Sequence, residues 1–432
     1  MEGNMESGCV GSAAIERALE RCARFGVKPG LESIRAACAV LGDPQDSIRV
    51  VHVAGTNGKG AVCAFVDSAL RAAGFRTGRY TSPHLVSLNE RFFLDGRPVD
   101  EAKLDAAFLR LMSSTRGTLE RLTYFELLTA TAFELYSSEK VDYLVLETGL
   151  GGRLDATNVV ARPAVCVITR IGLDHCGWLG NTVAEIAAEK GGIIKEGVPV
   201  VLGAMPGEAR AVLERIAAER GAPCTYAPDV VVEGRFQLSN LALGGLFNRE
   251  NAVTAMAALD ILGVGRDAVA RGFASVSWPG RYQHVSHGGR ELLVDGAHNP
   301  PAMRALVDSM KAERASSPGS RLGRTAVCGF CGDKDVAANL AILREVAEDG
   351  LAVPIRNPRS LPPEATADLM REAGFRSARA CGSLEEAMEL APSGAVVCGS
   401  LFLVGEVLEM QGAMPSQTGL CVPNETFNGN VV

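Results

Sequence analysis

The sequence predicts an α/β protein made of two doubly wound sheets, and three features predict it. The apolar run Val50-Val51-His52-Val53-Ala54 stops in the glycine loop Gly55-Thr56-Asn57-Gly58-Lys59-Gly60, and from Ala61 apolar side chains recur at helical spacing as far as Gly74. This is a strand, a tight loop and a helix in succession. Residues 141–147 and 164–169 are apolar at nearly every position, the pattern of strands covered by helices on both faces. Five short apolar stretches, 291–294, 325–328, 351–355, 377–381 and 395–398, then alternate with helical segments and predict a second, smaller sheet. A chain of 432 residues is also too long for one core.

Composition narrows the class. Hydrophobic residues at 47% and charged residues at 22% describe a soluble globular protein, and a net charge of −7 speaks against general nucleic-acid binding. No stretch of eighteen apolar residues is present, and Met1-Glu2-Gly3-Asn4-Met5-Glu6 lacks the basic and apolar regions of a secretion signal, so a cytoplasmic protein without membrane partners is expected. The twelve cysteines are scattered, as in a reducing compartment. Cys328 and Cys331 have C-x2-C spacing, but no second pair or nearby histidine completes a zinc site.

In chain order, residues 14–40 read as one or two helices broken at Pro29-Gly30. The strand at 48–53 then opens into the glycine loop. Three glycines in six positions let backbone N–H groups crowd an anion, Lys59 adds a point charge, and the helix that follows directs its dipole at the same place. The loop is a phosphate cradle of unusual form: the first glycine of Gly-x4-Gly-Lys falls on Val53, and no Ser or Thr follows the lysine. Next, Tyr80-Thr81-Ser82-Pro83-His84-Leu85 and Asn89-Glu90-Arg91-Phe92 read as a surface loop, with Ser82 and Arg91 as candidate ligands beside ordinary turn chemistry and a solvated arginine. Residues 119–136 read as a long helix with Thr123-Tyr124-Phe125-Glu126 near its start.

The strand at 141–147 ends on Glu147, at the strand edge where ligands of open α/β sheets gather, and a Mg²⁺ ligand is wanted there. The strand at 164–169 runs into Asp174-His175, a second candidate ligand, and the two strands are read as neighbours. Thr182-Val183-Ala184-Glu185 is a capping box, starting a helix that stops at Gly191-Gly192. By position alone, Lys190 complements the dipole of that helix C-terminus. A strand at 198–202, a helix at 206–220, short strands within 230–245 and an alanine-rich helix at 248–262 carrying Asn251 follow. Trp278-Pro279-Gly280-Arg281-Tyr282 reads as a hinge, Asp295-Gly296-Ala297-His298-Asn299-Pro300 sits past the first strand of the second sheet, and residues 411–432 read as a flexible tail.

Taken in order, these segments carry a resemblance. Gly55-Thr56-Asn57-Gly58-Lys59-Gly60, Thr81-Ser82-Pro83-His84-Leu85 with Glu90-Arg91, Glu147 with Gly149-Leu150-Gly151-Gly152-Arg153-Leu154-Asp155-Ala156-Thr157-Asn158, Asp174-His175, Glu189-Lys190, Pro279-Gly280-Arg281, residues 295–300 and Gly399-Ser400-Leu401 together resemble the folylpolyglutamate synthase and dihydrofolate synthase branch of the Mur ligase superfamily. The run at 149–158 is the most specific to the folate branch.

The resemblance implies an N-terminal P-loop-type doubly wound ATPase domain over residues 1–283 and a smaller C-terminal Rossmann-like α/β ligase domain over 284–410. It implies an ATP-dependent ligase that joins L-glutamate to dihydropteroate or reduced folates through an acyl phosphate, releasing ADP and phosphate. By the same resemblance, residues 55–60 with Lys59, Asn251, Arg281 and Asp295 would hold ATP. Ser82 and Glu147 would bind one Mg²⁺, and His175 a second. Lys190 matches the family's carbamylated lysine, a catalytic group with Lys59 and His298. Arg91, His298 and Ser400 match positions for the incoming glutamate. Thr123, Phe125, Asp155 and Ala156 match the pterin site, and Phe125 could stack on the ring. A monomer with no nucleic-acid or membrane partner is expected. Two departures stand out: Ala61 replaces the usual Ser or Thr, and Leu246-Phe247-Asn248 lacks the polar pair common before Asn251. Rival readings are a ligase of cell-wall nucleotide precursors, disfavoured by residues 149–158, and a non-catalytic nucleotide or pterin binder, recommended only by Ala61.

Overall fold

The computed structural model describes residues 30–114, 122–232, 240–317 and 319–412, together with Ile15, Ala18, Leu19 and Cys22. These form two compact units, one drawn from the residues up to 240 and from 251–276, the other from 241–250 and 277–412.

The first unit is built on an eight-stranded sheet of β1 (Arg49–Ala54), β2 (Thr77–Tyr80), β3 (Phe92–Leu94), β4 (Arg97–Pro98), β5 (Tyr143–Glu147), β6 (Val165–Ile168), β7 (Val200–Leu202) and β8 (Cys224–Tyr226), in the order β4-β3-β2-β5-β1-β6-β7-β8. The six strands from β2 to β8 in that order run parallel, while β3 and β4 add an antiparallel edge. Strand β1 is buried from Val50 to Ala54, which accounts for its continuous apolar run. It lies between β5 and β6, with Val53 opposite Glu147 and Ala54 opposite Ile168, so the strands expected to be neighbours are separated by β1. The glycine loop therefore leaves the sheet flanked by both candidate ligand loops.

The helix Lys59–Ala72 begins at the loop and packs on the helix Arg266–Ser275. A Cβ on Gly272 would fall 2.5 Å from the Ala69 Cα, so only glycine permits this crossing, which Ser68 Oγ seals by donating to Gly272 O at 2.8 Å. Strand β2 has no apolar run to betray it, yet every residue of it is buried. Its polar groups find partners inside: Arg79 lies 3.6 Å from Asp67 and stacks over Phe93, and Thr77 Oγ1 donates to Asp67.

Several boundaries differ from expectation. The long helix begins at Tyr124, where Thr123 and Glu126 form a reciprocal capping box; the expected start at 119 lies outside the described residues. In place of short strands after 230, a helix spans Ala227–Val232, and residues 233–239 lie outside the described residues. Of the helices expected over 14–40, the structure gives Glu32–Val40, most of residues 14–29 lying outside the described residues.

The second unit holds a six-stranded sheet of β9 (Gln283–His287), β10 (Arg290–Val294), β11 (Thr325–Cys328), β12 (Asp349–Ala352), β13 (Ser377–Ala380) and β14 (Val396–Cys398), in the order β13-β12-β11-β14-β10-β9. Five strands fall near the expected places. The sixth, β9, was not legible as a strand because its sequence is polar; it forms a hairpin with β10 across Gly288-Gly289, whose φ of 56° and 74° suit a two-residue turn. The chain winds outward from β11 to β13 and returns to insert β14 between β10 and β11, the kind of order reversal that opens a crevice at strand carboxyl ends. Residues 413–432 of the expected tail lie outside the described residues. Among the described residues no cysteine is in a disulfide, and no helix is long and apolar enough to cross a membrane.

Candidate active site

The glycine loop is held open by its neighbours. Thr56 and Asn57 donate their backbone N–H groups to Arg170 O at 2.9 and 3.3 Å, and Thr169 Oγ1 donates to Asn57 O at 2.8 Å. Gly58 has a φ of 89°, and a Cβ there would fall 2.3 Å from Asn251 Oδ1, so Asn251 is laid directly against the turn of the loop. Two residues almost two hundred positions apart in sequence are thus brought together. Lys59 is the first residue of the helix, and its ammonium lies 3.4 Å from Thr56 O and 3.9 Å from Glu147 Oε1. Ala61, in the first turn, is 4% exposed, leaving an apolar wall where the family pattern has a hydroxyl.

Glu147 is buried at the end of β5, and its Oε2 accepts the Ser82 N–H at 3.1 Å. Lys59, Glu147 and the Ser82 backbone therefore form one cluster. The Ser82 loop is fixed in turn by Glu90, whose carboxylate accepts from Leu85 N, Val86 N and Ser87 N at 2.8, 2.9 and 2.6 Å. Arg91 is not a solvated arginine. It is 1% exposed, donates Nε–H to His84 Nδ1 at 3.0 Å and lies over the Tyr124 ring. Burial, and then the Arg91 charge, hold His84 well below the ordinary histidine range, so it is a neutral acceptor.

On the β6 side, His175 takes a left-handed conformation (φ 52°) at the start of the short helix Cys176–Leu179, with its ring 3.9 Å from Asp174 Oδ2. Lys190 lies in the last turn of the helix Val183–Gly191, which starts at the expected capping box, and it is 4% exposed. Burial, followed by the charge of Lys59, pushes its ammonium down to about 7, against the pull of Asp174 and Asp155. A dipole-complementing surface cation would not be so buried. The amine is poised to be neutral near physiological pH, within electrostatic reach of the phosphate-loop lysine.

The run at 149–158 docks on this helix end. Arg153 N donates to Glu189 O at 2.8 Å, and a Cβ on Gly152 would lie 2.8 Å from Lys190 O. Asp155 is buried and turned into its own loop, accepting from Leu150 N at 2.8 Å and Thr157 N at 3.0 Å as well as from the Thr157 hydroxyl. Desolvation raises its pKa, and these hydrogen bonds oppose the rise. Ala156 is buried behind it. Thr123 is engaged as a helix cap, whereas Phe125 is half-buried with its ring against Gly149, where an added Cβ would lie 2.6 Å from Phe125 Cζ. Of the four candidate pterin residues, Phe125 is the one whose side chain keeps an exposed face. Sequence reasoning missed His52 and Thr157, joined at 2.8 Å; their shared buried position gives no local signal.

In the second unit, Arg281, Asp295, His298 and Ser400 gather at the carboxyl ends of β10 and β14, which pair in parallel. Asp295 is buried, its two oxygens accepting Tyr282 N and Ala297 N, each at 2.8 Å. Burial raises its pKa and the Arg281 charge lowers it. Gly296 gives Arg281 room: an added Cβ would fall 2.2 Å from the guanidinium. His298 Nδ1 lies 2.8 Å from Gly296 O, which presets the ring, and Ser400 caps the helix Leu401–Met410 by accepting from Phe402 N at 3.1 Å. The stretch expected as a hinge, 278–282, ends in a backbone bond to Asp295.

The chain is similar to proteins of known kind. Residues 280–404 match the Mur ligase glutamate ligase domain. A dihydrofolate synthase/folylpolyglutamate synthase of Escherichia coli K12 is 38% identical over 405 residues, covering 90% of this chain and 92% of the relative. Mycobacterium tuberculosis folylpolyglutamate synthase, solved with ADP and AMPPCP, superposes with a TM-score of 0.83 at 30% identity, over 95% of this chain and 100% of that one. A bifunctional folylpolyglutamate synthase/dihydrofolate synthase solved with Mn, AMPPNP and L-glutamate gives a TM-score of 0.78 at 33% identity, over 93% and 98%. With its phosphate loop, Glu147 cluster and second Rossmann-like sheet in place, the chain belongs to the dihydrofolate synthase/folylpolyglutamate synthase family of Mur-type ligases.

Proposed function

We propose that this protein ligates L-glutamate to dihydropteroate, to reduced folates or to both, consuming ATP and releasing ADP and phosphate. The observation that carries the reading is the cluster of Lys59, Glu147 and Ser82 at the mouth of the glycine loop, with Asn251 against its turn.

A carboxylate is a poor electrophile, so it first takes the γ-phosphoryl group of ATP and becomes an acyl phosphate, which the glutamate amine attacks with loss of phosphate. The first step brings two anions together. Backbone N–H groups at the start of the Lys59–Ala72 helix and the Lys59 ammonium offset that charge. The remaining contribution is positioning. Residues 1–283 would supply the ATP machinery and 284–410 the second half of the ligase. Arg281 and Asp295 are assigned to the nucleotide, Arg91, His298 and Ser400 to glutamate, and Thr123, Phe125, Asp155 and Ala156 to the pterin. Because Thr123, Asp155 and Ala156 are buried and Thr123 and Asp155 are committed to local hydrogen bonds, they would shape the pterin site, while Phe125 would offer its ring.

Divalent metal fits the site in part. The Ser82 hydroxyl and Glu147 carboxylate are hard oxygen donors suited to Mg²⁺, and His175 is assigned to a second ion. Among the described residues no group of three or more His, Cys, Asp or Glu side chains gathers to hold a metal alone, which fits an ion completed by phosphate oxygens and water. Bound there, Mg²⁺ would neutralise developing phosphate charge. The neutral Lys190 amine is the form that reacts with CO2, and its carbamate would present an anion beside the same loop.

Product analysis by mass spectrometry, with dihydropteroate and tetrahydrofolate offered separately, tests the reading. Phosphate release should require both glutamate and one of the pterins. Tight ATP binding without turnover on either pterin would refute it.

A further inference from the structure

Strand β1 carries one polar side chain in its apolar run. His52 is 0% exposed, and its Nε2 lies 2.8 Å from Thr157 Oγ1. The Thr157 hydroxyl has a single proton, and that proton is given to Asp155 Oδ1. Thr157 Oγ1 must then accept from His52, which places the imidazole proton on Nε2. The other ring nitrogen, Nδ1, is buried with no hydrogen-bond partner among the described residues. A second proton there would be a buried donor without an acceptor, so the ring stays neutral. The result is a directed chain, His52 Nε2–H to Thr157 Oγ–H to the Asp155 carboxylate, which also gathers Leu150 N and Thr157 N.

The two ends of this chain matter to the site. His52 stands three residues before Gly55 on the strand that delivers the phosphate loop, and Asp155 organises the loop whose Gly152 abuts Lys190 O and whose Gly149 abuts Phe125. We propose that His52 is a positioning residue of the ligation: through Thr157 it fixes Asp155, and with it the loop whose Gly149 and Gly152 pack against the Phe125 ring and the Lys190 carbonyl. This rests on the ligase reading. The chain works by orientation, since a loop displaced by an ångström misplaces the groups that meet the pterin and the buried amine while leaving the nucleotide's own contacts in place.

Two measurements test it. In steady-state kinetics, His52→Leu should raise the pterin KM or lower kcat by about tenfold, with the ATP KM within about twofold, because the defect lies in loop placement. His52→Gln, whose amide can occupy the Nε2 donor position, should recover most of that loss. An unchanged pterin KM and kcat in His52→Leu, an equal rise in the ATP and pterin KM values, or no recovery in His52→Gln would overturn the proposal. Independently of turnover, ¹⁵N NMR of the wild-type protein should show the Nε2–H tautomer with slow proton exchange, and Thr157→Val should lose that protection. A His52 found as the Nδ1–H tautomer, or exchanging equally fast in both proteins, would also overturn it. Absence of wild-type turnover with the protected Nε2–H intact would count against the ligase reading alone.

Discussion

Replacing Lys190 by methionine tests the buried amine directly. The side chain is 4% exposed, and lowering its pKa from an ordinary 10.5 to about 7 corresponds to roughly 5 kcal/mol of disfavoured charge in the folded state. The sign follows from proton counts. Above pH 10.5 the folded and unfolded chains both hold a neutral amine; between 10.5 and about 7 only the unfolded chain is protonated; below about 7 both are, and the folded chain bears the whole cost. Wild-type stability should therefore rise with pH across that window. Between pH 6 and pH 9 the wild type should gain about 3 kcal/mol relative to Lys190→Met, whose thioether packs without a charge at any pH. Urea unfolding of both proteins in CO2-free buffer at pH 6, 7, 8 and 9 gives the difference curve, in which other titrating groups cancel. Adding bicarbonate at pH 8 should raise the wild-type Tm and leave that of Lys190→Met unchanged, since the carbamate proposed for Lys190 would form on the folded, neutral amine. A difference curve flat to within about 0.5 kcal/mol would refute the argument that burial neutralises this lysine.

Lys59→Ala should lower kcat by about 10²–10³-fold with little loss of stability, because it removes charge stabilisation from a half-buried side chain; ligation at the wild-type rate would sink the site. Glu90→Gln should destabilise the protein by about 1–3 kcal/mol, since an uncharged amide cannot satisfy the Leu85, Val86 and Ser87 N–H groups equally well, and thermal unfolding measures it. Ala61→Ser restores the hydroxyl expected after Lys-Gly and should lower the ATP KM or the Mg²⁺ requirement by a few-fold; unchanged values of both would show that the missing hydroxyl does not limit nucleotide binding.

What was legible in the sequence is what repeats or interrupts a pattern. Strands β1, β5 and β6 are buried on both faces and announce themselves by continuous apolar runs, and the capping box at Thr182 fixes where the Lys190 helix begins. Strands β2 and β9 were not legible. In β2, buried Arg79 and Thr77 are satisfied by Asp67 from another element, and no local pattern records a partner ten or more residues away. In β9 the register comes from the Gly288-Gly289 turn and not from alternation.

The same distinction decides how far motif residues can be read. Lys59 and Glu147 each follow a strand that its apolar run announces, and topology makes them neighbours whatever lies between them in sequence; Ser82 follows β2, which no such run announces, and joins them through its backbone N–H. Asp155 and Thr123 belong to equally recognisable motifs, yet their oxygens are turned inward: Asp155 accepts from its own loop, and Thr123 caps its own helix. A polar residue in a motif can thus be there to touch substrate or to hold the motif's backbone, and sequence presents both in the same way. Burial with complete local hydrogen bonding separates them. By that criterion the run at 149–158 is assigned a role through its shape under the proposed reading: its glycines pack against Phe125 and the Lys190 helix end, and its aspartate fixes the turn between them. A variant such as Asp155→Asn, which keeps the size but weakens the accepting charge, should then alter pterin KM and Lys190 chemistry together, because one loop positions both.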